Sequence, residues 1–229
     1  MRRPLTPMTT AIPKRRLIGA LAATVLAAAA ALGATSQASA ASTTTCDDFL
    51  PPGTYGTVFV PPGAACFSDG GVVIGRGLFV GVGSTFVLGS EDSPGPLSSI
   101  YGGVFALGAM NVQIHFTTVI GGVTILGGSG PFGGPFFVTF NTIEDSKIIG
   151  PTTIDGYNGF WQGFIRNHTL GSVNFNNNQL VDPDGNEVVT NSIHGNLNCS
   201  GNDPAPQVGD SEGSPNLVYG SRTGQCVGL

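Results

Sequence analysis

The chain has 229 residues, with nine Lys and Arg against fourteen Asp and Glu, and 41 % of it is hydrophobic. Arg2, Arg3, Lys14, Arg15 and Arg16 lie at the start, so the remainder holds four basic residues (Arg76, Lys147, Arg166 and Arg222) and fourteen carboxylates, a formal charge of −10. That balance excludes nucleic acid and anionic membrane as partners, because both are held by clustered Lys and Arg.

Residues 1–40 read as a signal peptide: a basic start, an apolar alanine-rich run over Leu17 to Gly33, and the small-residue cleavage motif Ala38-Ser39-Ala40. The run is marginal for a membrane span, and no second span follows. The expected product is a secreted, extracellular protein of bacterial type. Arg15-Arg16 raises a twin-arginine route, but one basic pair favours general (Sec) export.

Beyond the leader, thirty-four of the thirty-six glycines remain, ~18 % of the segment against a usual ~7 %. Val, Ile, Phe and Thr supply most side-chain mass, and no stretch keeps apolar residues at helical spacing. This is strand composition with glycine punctuation. Residues 41–53 are expected to form an N-terminal cap segment. Cys46, Cys66, Cys199 and Cys226 suggest two disulfides in an oxidising compartment. Three pairings are open, and the positions at the two ends favour Cys46–Cys66 and Cys199–Cys226. No Cys-x-x-Cys or Cys–His spacing supports zinc.

Residues 54–202 carry a repeat. Ile149-Gly150-Pro151-Thr152-Thr153-Ile154-Asp155 recurs as Leu170-Gly171-Ser172-Val173-Asn174-Phe175-Asn176, and again as Ile193-His194-Gly195-Asn196-Leu197-Asn198. Ile120-Gly121-Gly122-Val123-Thr124-Ile125 matches upstream. Leu107-Gly108-Ala109-Met110-Asn111 also fits, but it stands too close before Ile120 for a full period, as another strand of the same coil would. The extra length after Ile125 falls in a glycine-rich insertion at 129–136. A period in the low twenties built from short strands signals a solenoid. The expected fold is all-β, a parallel β-helix of about six or seven coils. Asn174, Asn176, Asn196 and Asn198 are expected to stack as an amide ladder.

The repeat, the glycines, the Asn positions and the leader together resemble a small secreted right-handed parallel β-helix. The tail is more particular. Gly195-Asn196-Leu197-Asn198-Cys199, Pro204-Ala205-Pro206 and Gly224-Gln225-Cys226 resemble a group of short exported actinobacterial proteins that end in GNLxC and GQC. That resemblance implies secretion, the β-helix and the last disulfide, with residues 203–229 as a tied loop tail. It carries over no catalytic residue or cofactor. A left-handed β-helix is the runner-up: residues 149–153 fit one of its hexads, but the next hexad fails.

Candidate sites are few. Gly209-Asp210-Ser211-Glu212-Gly213 is similar to a serine-protease nucleophile segment, but His115, His168 and His194 lack the context of a triad base. No histidine spacing signals a metal, although His168 and His194 fall at comparable places in successive coils. Asp182-Pro183-Asp184-Gly185 reads as a turn. Tyr157 and Trp161, in DGYNGFWQGFI, are candidate ligand contacts with Lys147 and Arg166, which would occupy neighbouring coils. The expected function is non-catalytic, an extracellular structural or polysaccharide-binding role. The alternatives are a carbohydrate-active lyase or hydrolase, using Glu144, Asp145 or Asp155 with Lys147 or Arg166, and an ice-binding protein presenting Thr117, Thr118, Thr124, Thr152 and Thr153. Uncovered coil ends would favour end-to-end self-association.

Overall fold

A computed structural model describes residues 42–130, 140–209 and 214–229, all within the unit Ala38–Leu229. The leader and Asp210–Gly213 lie outside the described residues, as does most of the 129–136 insertion. Every paired strand in the described residues is parallel to its neighbours, and no helix occurs among them. No described helix is long and apolar enough to cross a membrane.

The chain winds repeatedly through three strand rows, here named faces A, B and C. Face A stacks Ser98–Tyr101, Thr117–Ile120, Lys147–Ile149, His168–Leu170, Ser192–Ile193 and Leu217–Val218. Face B stacks Val104–Leu107, Val123–Leu126, Thr152–Asp155, Val173–Asn176, Leu197–Ser200 and Arg222–Gly224. The longer strands Gly53–Val60 and Val72–Val80 run through both, so A and B form one 15-stranded sheet. Face C is a separate six-stranded sheet of Ala65–Ser68, Thr85–Leu88, Asn111–His115, Phe140–Glu144, Trp161–Ile165 and Asn186–Val189. This is the solenoid that the repeat implied.

Alternation along each strand sends every second side chain inward. In register, those side chains line up from turn to turn. Val58, Leu78, Val104, Val123, Thr152, Val173 and Leu197 form one inner column of face B, each at 0 % exposure. Ile74, Ile100, Val119 and Ile148 do the same on face A. Cys46 is bonded to Cys66 and Cys199 to Cys226, as favoured from the sequence. Leu50 and Cys46 belong to the core near the N-terminal end, and Cys226 and Leu229 near the C-terminal end.

The corners repeat as strictly as the strands. Where face B turns into C, Gly108, Gly127, Gly156, Asn177, Gly201 and Gly224 all have φ between 54° and 77°. Where C turns into A, the left-handed position is filled by Phe116, Asp145, Arg166 and Thr190, with φ of 47–58°. The residue after each faces inward. At the C–A corner these are Thr117, Ser146, Asn167 and Asn191, with Asn216 at the equivalent place one turn on, all at most 3 % exposed. From Ser146 onward, each side chain accepts the backbone N–H of the turn before. Ser146 Oγ takes Thr117 N–H (3.1 Å), Asn167 Oδ1 takes Ser146 N–H (3.1 Å), Asn191 Oδ1 takes Asn167 N–H (2.9 Å) and Asn216 Oδ1 takes Asn191 N–H (3.1 Å). The amide NH2 groups satisfy carbonyls of Ile143, Phe164 and Val188. A second ladder runs down the B–C corner through Asn178, Asn202 and Gln225.

The amide stack expected from the sequence is present in part, but the alignment of Asn196 with Asn174 and of Asn198 with Asn176 is shifted by two residues. Asn198 pairs with Asn174, and Ser200 with Asn176. Asn198 Nδ2 donates to Asn174 Oδ1 at 2.9 Å, and Ser200 Oγ to Asn176 Oδ1 at 3.0 Å, both on the outer surface. Asn196 stands at the A–B corner, where its N–H meets Ser172 Oγ and its Oδ1 takes Ser221 N–H. The register follows the core: Val173 must stack on Leu197, and Phe175 on Cys199.

Candidate functional site: two open faces and a buried polar cluster

Faces A and B show their outer side chains to solvent. On face B one outer column runs Phe59, Phe79, Phe105, Thr124, Thr153, Asn174, Asn198, Thr223. Beside it runs Leu107, Leu126, Asp155, Asn176, Ser200. Asp155 is the one titratable side chain of the two columns, and Asn177 Nδ2 donates to it at 3.0 Å. The columns change character along the chain. Phe59, Phe79, Phe105, Leu107 and Leu126 are exposed and line a groove of about 350 Å³. Phe79 and Phe105 stack with centroids 5.3 Å apart, so the groove is walled by aromatic rings and aliphatic groups. Further on the column becomes hydroxyls and amides, cross-linked by Asn198 to Asn174 and by Thr223 Oγ1 to Asn198 Oδ1 (2.8 Å).

The outer side of face A presents Tyr101, Ile120, Ile149 and Leu170 in register, continuing towards His194 and Tyr219. The His168 and His194 rings touch edge to face at 5.0 Å, and His194 stacks on Tyr219 at 4.3 Å. Between A and B the corner is pared to backbone. A Cβ on Gly102, Gly121 or Gly171 would strike the backbone of a neighbouring turn, which keeps the two faces continuous.

Face C differs. Its outer side mixes apolar side chains (Val87, Trp161, Ile165, Val189) with polar ones, and of the polar ones His115, Thr142, Glu144 and Glu187 are all at most 4 % exposed. Glu144 is the hub. Thr142 Oγ1 donates to its Oε1, Arg166 Nη2 to its Oε2 at 3.3 Å, and His115 Nδ1 lies 3.7 Å from Oε2. Arg166 also grips Asp145 through Nε and Nη2, both at 2.8 Å. Burial lowers the His115 pKa below its ordinary value and outweighs the attraction of Glu91 and Asp145; Arg166 acts in the same lowering sense.

The residues singled out from the sequence fall in different places. Tyr157 is a correction: it is fully buried, not an exposed contact. It follows Gly156 at the B–C corner, in the inward position of Asn178 and Asn202. Its N–H donates to Asn178 Oδ1 and its hydroxyl to Met110 O at 3.1 Å. That burial raises its phenol well above the usual value. Trp161 is half-buried and lies over Gly163. Lys147 is exposed on face A, in register with Thr118 and His168. Arg166 stands at the preceding corner of the next turn, so the two do occupy neighbouring turns. Glu144, Asp145 and Arg166 are brought together; Asp155 is on face B and does not join them. Of the threonines, Thr117 and Thr152 are buried, while Thr118, Thr124 and Thr153 face outward. Ser211 lies outside the described residues. Among the described residues no three His, Cys, Asp or Glu side chains are grouped as metal ligands.

Sequence reasoning missed the inner amide ladders and the phenylalanine column. The ladders had a signal: Asn167, Asn191 and Asn216 recur once per turn, and so do Asn178 and Asn202. No family model, curated protein or solved structure matches this chain.

Proposed function

We propose that this is an exported, right-handed parallel β-helix of about six or seven coils that binds an extracellular polysaccharide surface without acting on it. Right-handed crossover is the hand that parallel strand connections take, and the leader and both disulfides support export through the general route. One observation carries the binding reading. Face B offers two long, flat, open columns with one charged side chain between them, on a scaffold locked turn to turn by buried hydrogen bonds. An uncharged, rigid surface of this kind suits an uncharged, ordered polymer. The carboxylate excess disfavours a polyanion. Among the described residues, strands Leu217–Val218 and Arg222–Gly224 each pair on one side, which supports end-to-end self-association.

Sedimentation of the mature protein with insoluble cellulose, chitin and cell wall tests the reading. Retention should resist salt and fall at least about tenfold in Phe79→Ser/Phe105→Ser, since each buried aromatic is worth roughly 1.5–3 kcal/mol. Retention on none of the three polymers would sink it. A carbohydrate-active enzyme is the second reading, favoured by the meeting of Glu144, Asp145 and Arg166. Sugar release that disappears in Arg166→Ala and Lys147→Ala would put it first.

A further inference from the structure

The outward side chains of face B extend very differently in its two directions. Along a strand, four residues such as Val104–Leu107 turn only Phe105 and Leu107 outward, a width of ~7 Å. Glycine corners close that strand on both sides, at Gly102-Gly103 and at Gly108. Across the strands, the column from Phe59 to Thr223 places one outward side chain on each successive turn, and every step is a paired position, so no turn stands out of line. Its eight positions span ~34 Å at the spacing of paired strands. The flank of the column is open in its early turns. The residues two before Phe79, Phe105 and Thr124 are Gly77, Gly103 and Gly122, which carry no side chain. The two outer columns of face B hold one titratable group, Asp155, already bonded by Asn177. The outer side of face A, by contrast, carries Lys147, His168 and His194.

These dimensions select a ligand shape. A compact ligand, or a chain lying along a strand, would meet two outward positions. A chain lying along the solenoid axis meets the whole column and gains contact with each added unit. Such a chain must be straight and uncharged. It must also match an apolar stretch, Phe59 to Phe105 with Leu107 and Leu126 beside it, followed by a hydroxyl and amide stretch, Thr153 to Thr223. A β-1,4-linked pyranose chain has that form: its equatorial linkages make an extended ribbon, with C–H groups on the faces and hydroxyls along the edges. An α-1,4-linked chain coils and leaves a straight track. We propose that face B holds one β-1,4-linked glycan chain, of the cellulose and chitin type, along the solenoid axis. Its C–H groups lie on the phenylalanine column and its hydroxyls on Thr153, Asn174, Asn198 and Thr223. This assignment of substrate class and direction rests on the polysaccharide-binding reading of face B.

Calorimetry of the mature protein with cello-oligosaccharides and N-acetylated chito-oligosaccharides of two to six units tests it. In at least one series, affinity should rise at least about tenfold from two units to six, because each unit removes further apolar surface from water. Binding of the six-unit chain should weaken at least about tenfold in Phe79→Ser/Phe105→Ser. It should also weaken at least about threefold in Asn174→Ala/Asn198→Ala, at the far end of the track. All four side chains lie on the outer surface, so these variants fold, and Lys147→Ala on face A should change nothing. Equal affinity for two and six units overturns the axial track. So does a loss in one pair of variants with the other unchanged, and so does equally tight binding of malto-oligosaccharides. If the protein sediments with insoluble cellulose, chitin or cell wall and yet gives one of these results, or binds neither series, the polysaccharide reading stands and this inference falls. If it sediments with none of the three polymers, both fall.

Discussion

Replacing Asn191 by alanine should be among the most damaging single changes in the protein. The Asn191 side chain is 1 % exposed and makes three hydrogen bonds. It accepts Asn167 N–H at 2.9 Å, and donates to Phe164 O at 2.6 Å and to Asn216 Oδ1 at 2.8 Å. Alanine leaves a buried N–H and a buried carbonyl without these partners. Each such orphan costs about 1–3 kcal/mol, so the loss is roughly 3–5 kcal/mol. That is a large share of the ~5–15 kcal/mol that holds a domain folded. In a chain of this size it lowers the melting temperature by about 10 °C or more. Asn198 is the control. It also makes two ladder bonds, to Asn174 and from Thr223, but on the solvent side of the strand, where water replaces them. Asn198→Ala should cost under about 1 kcal/mol. Thermal and urea unfolding, followed by circular dichroism, measure both. Equal losses in the two variants would refute the claim that the inner amides, and not the outer ones, bind turn to turn.

Two further outcomes are expected. Because the folded His115 pKa is lowered below its unfolded value, the unfolded chain takes up that proton first. The contribution of His115 to stability is therefore full above about pH 6.5 and declines as pH falls from there through the lowered folded value; unfolding free energies across the acid range should carry this slope, and His115→Gln should remove it. The two disulfides close loops of 20 and 27 residues, so Cys46→Ala/Cys66→Ala and Cys199→Ala/Cys226→Ala should each cost about 3 kcal/mol. A loss under about 1 kcal/mol for the second pair, read from urea midpoints, would contradict the placing of Cys226 in the core at the C-terminal end.

The strand composition, the solenoid and the disulfide pairing were legible because they rest on short-range signals: β-branched runs, glycine corners and an even cysteine count. The corner template matches Ile120-Gly121, Ile149-Gly150 and Leu170-Gly171 at one corner, between faces A and B. Leu107-Gly108, which precedes Ile120 by less than a period, is the next corner of the preceding turn. The template passes over Tyr101-Gly102-Gly103-Val104, which occupies the A–B position one turn earlier, because Phe105 stands where it requires Thr or Asn. It also anchors on outward positions. The structural amides follow a left-handed residue that need not be glycine, and Arg166-Asn167 and Thr190-Asn191 hide that role. Tyr157 misleads for a related reason: an aromatic beside glycines looks like an exposed platform, yet the corner turns it inward. The polar cluster on face C joins Glu144 to His115 and Arg166 across three turns, a proximity created by register, since Glu144 pairs with His115 on one side and with Ile165, beside Arg166, on the other.

The interior also changes in chemistry along the molecule. On face C the inner column begins Cys66, Phe86, Val112 and continues as Asn141, Gln162, Asn186. Asn141 Oδ1 accepts Val112 N–H at 2.6 Å, Gln162 Nε2 donates to Asn186 Oδ1, and Asn186 Nδ2 to Pro204 O. Early turns cohere by apolar burial, which tolerates small shifts in register. Later turns keep apolar side chains in the core and add amide hydrogen bonds, which are directional and buried and so punish such shifts. The outer columns of face B change in the same order, from phenylalanine to threonine and asparagine. On the proposed polysaccharide-binding reading, the apolar end would supply contact area, and the hydroxyl–amide end would discriminate between polymers by how well their hydroxyls match a lattice that the buried ladders prevent from adjusting.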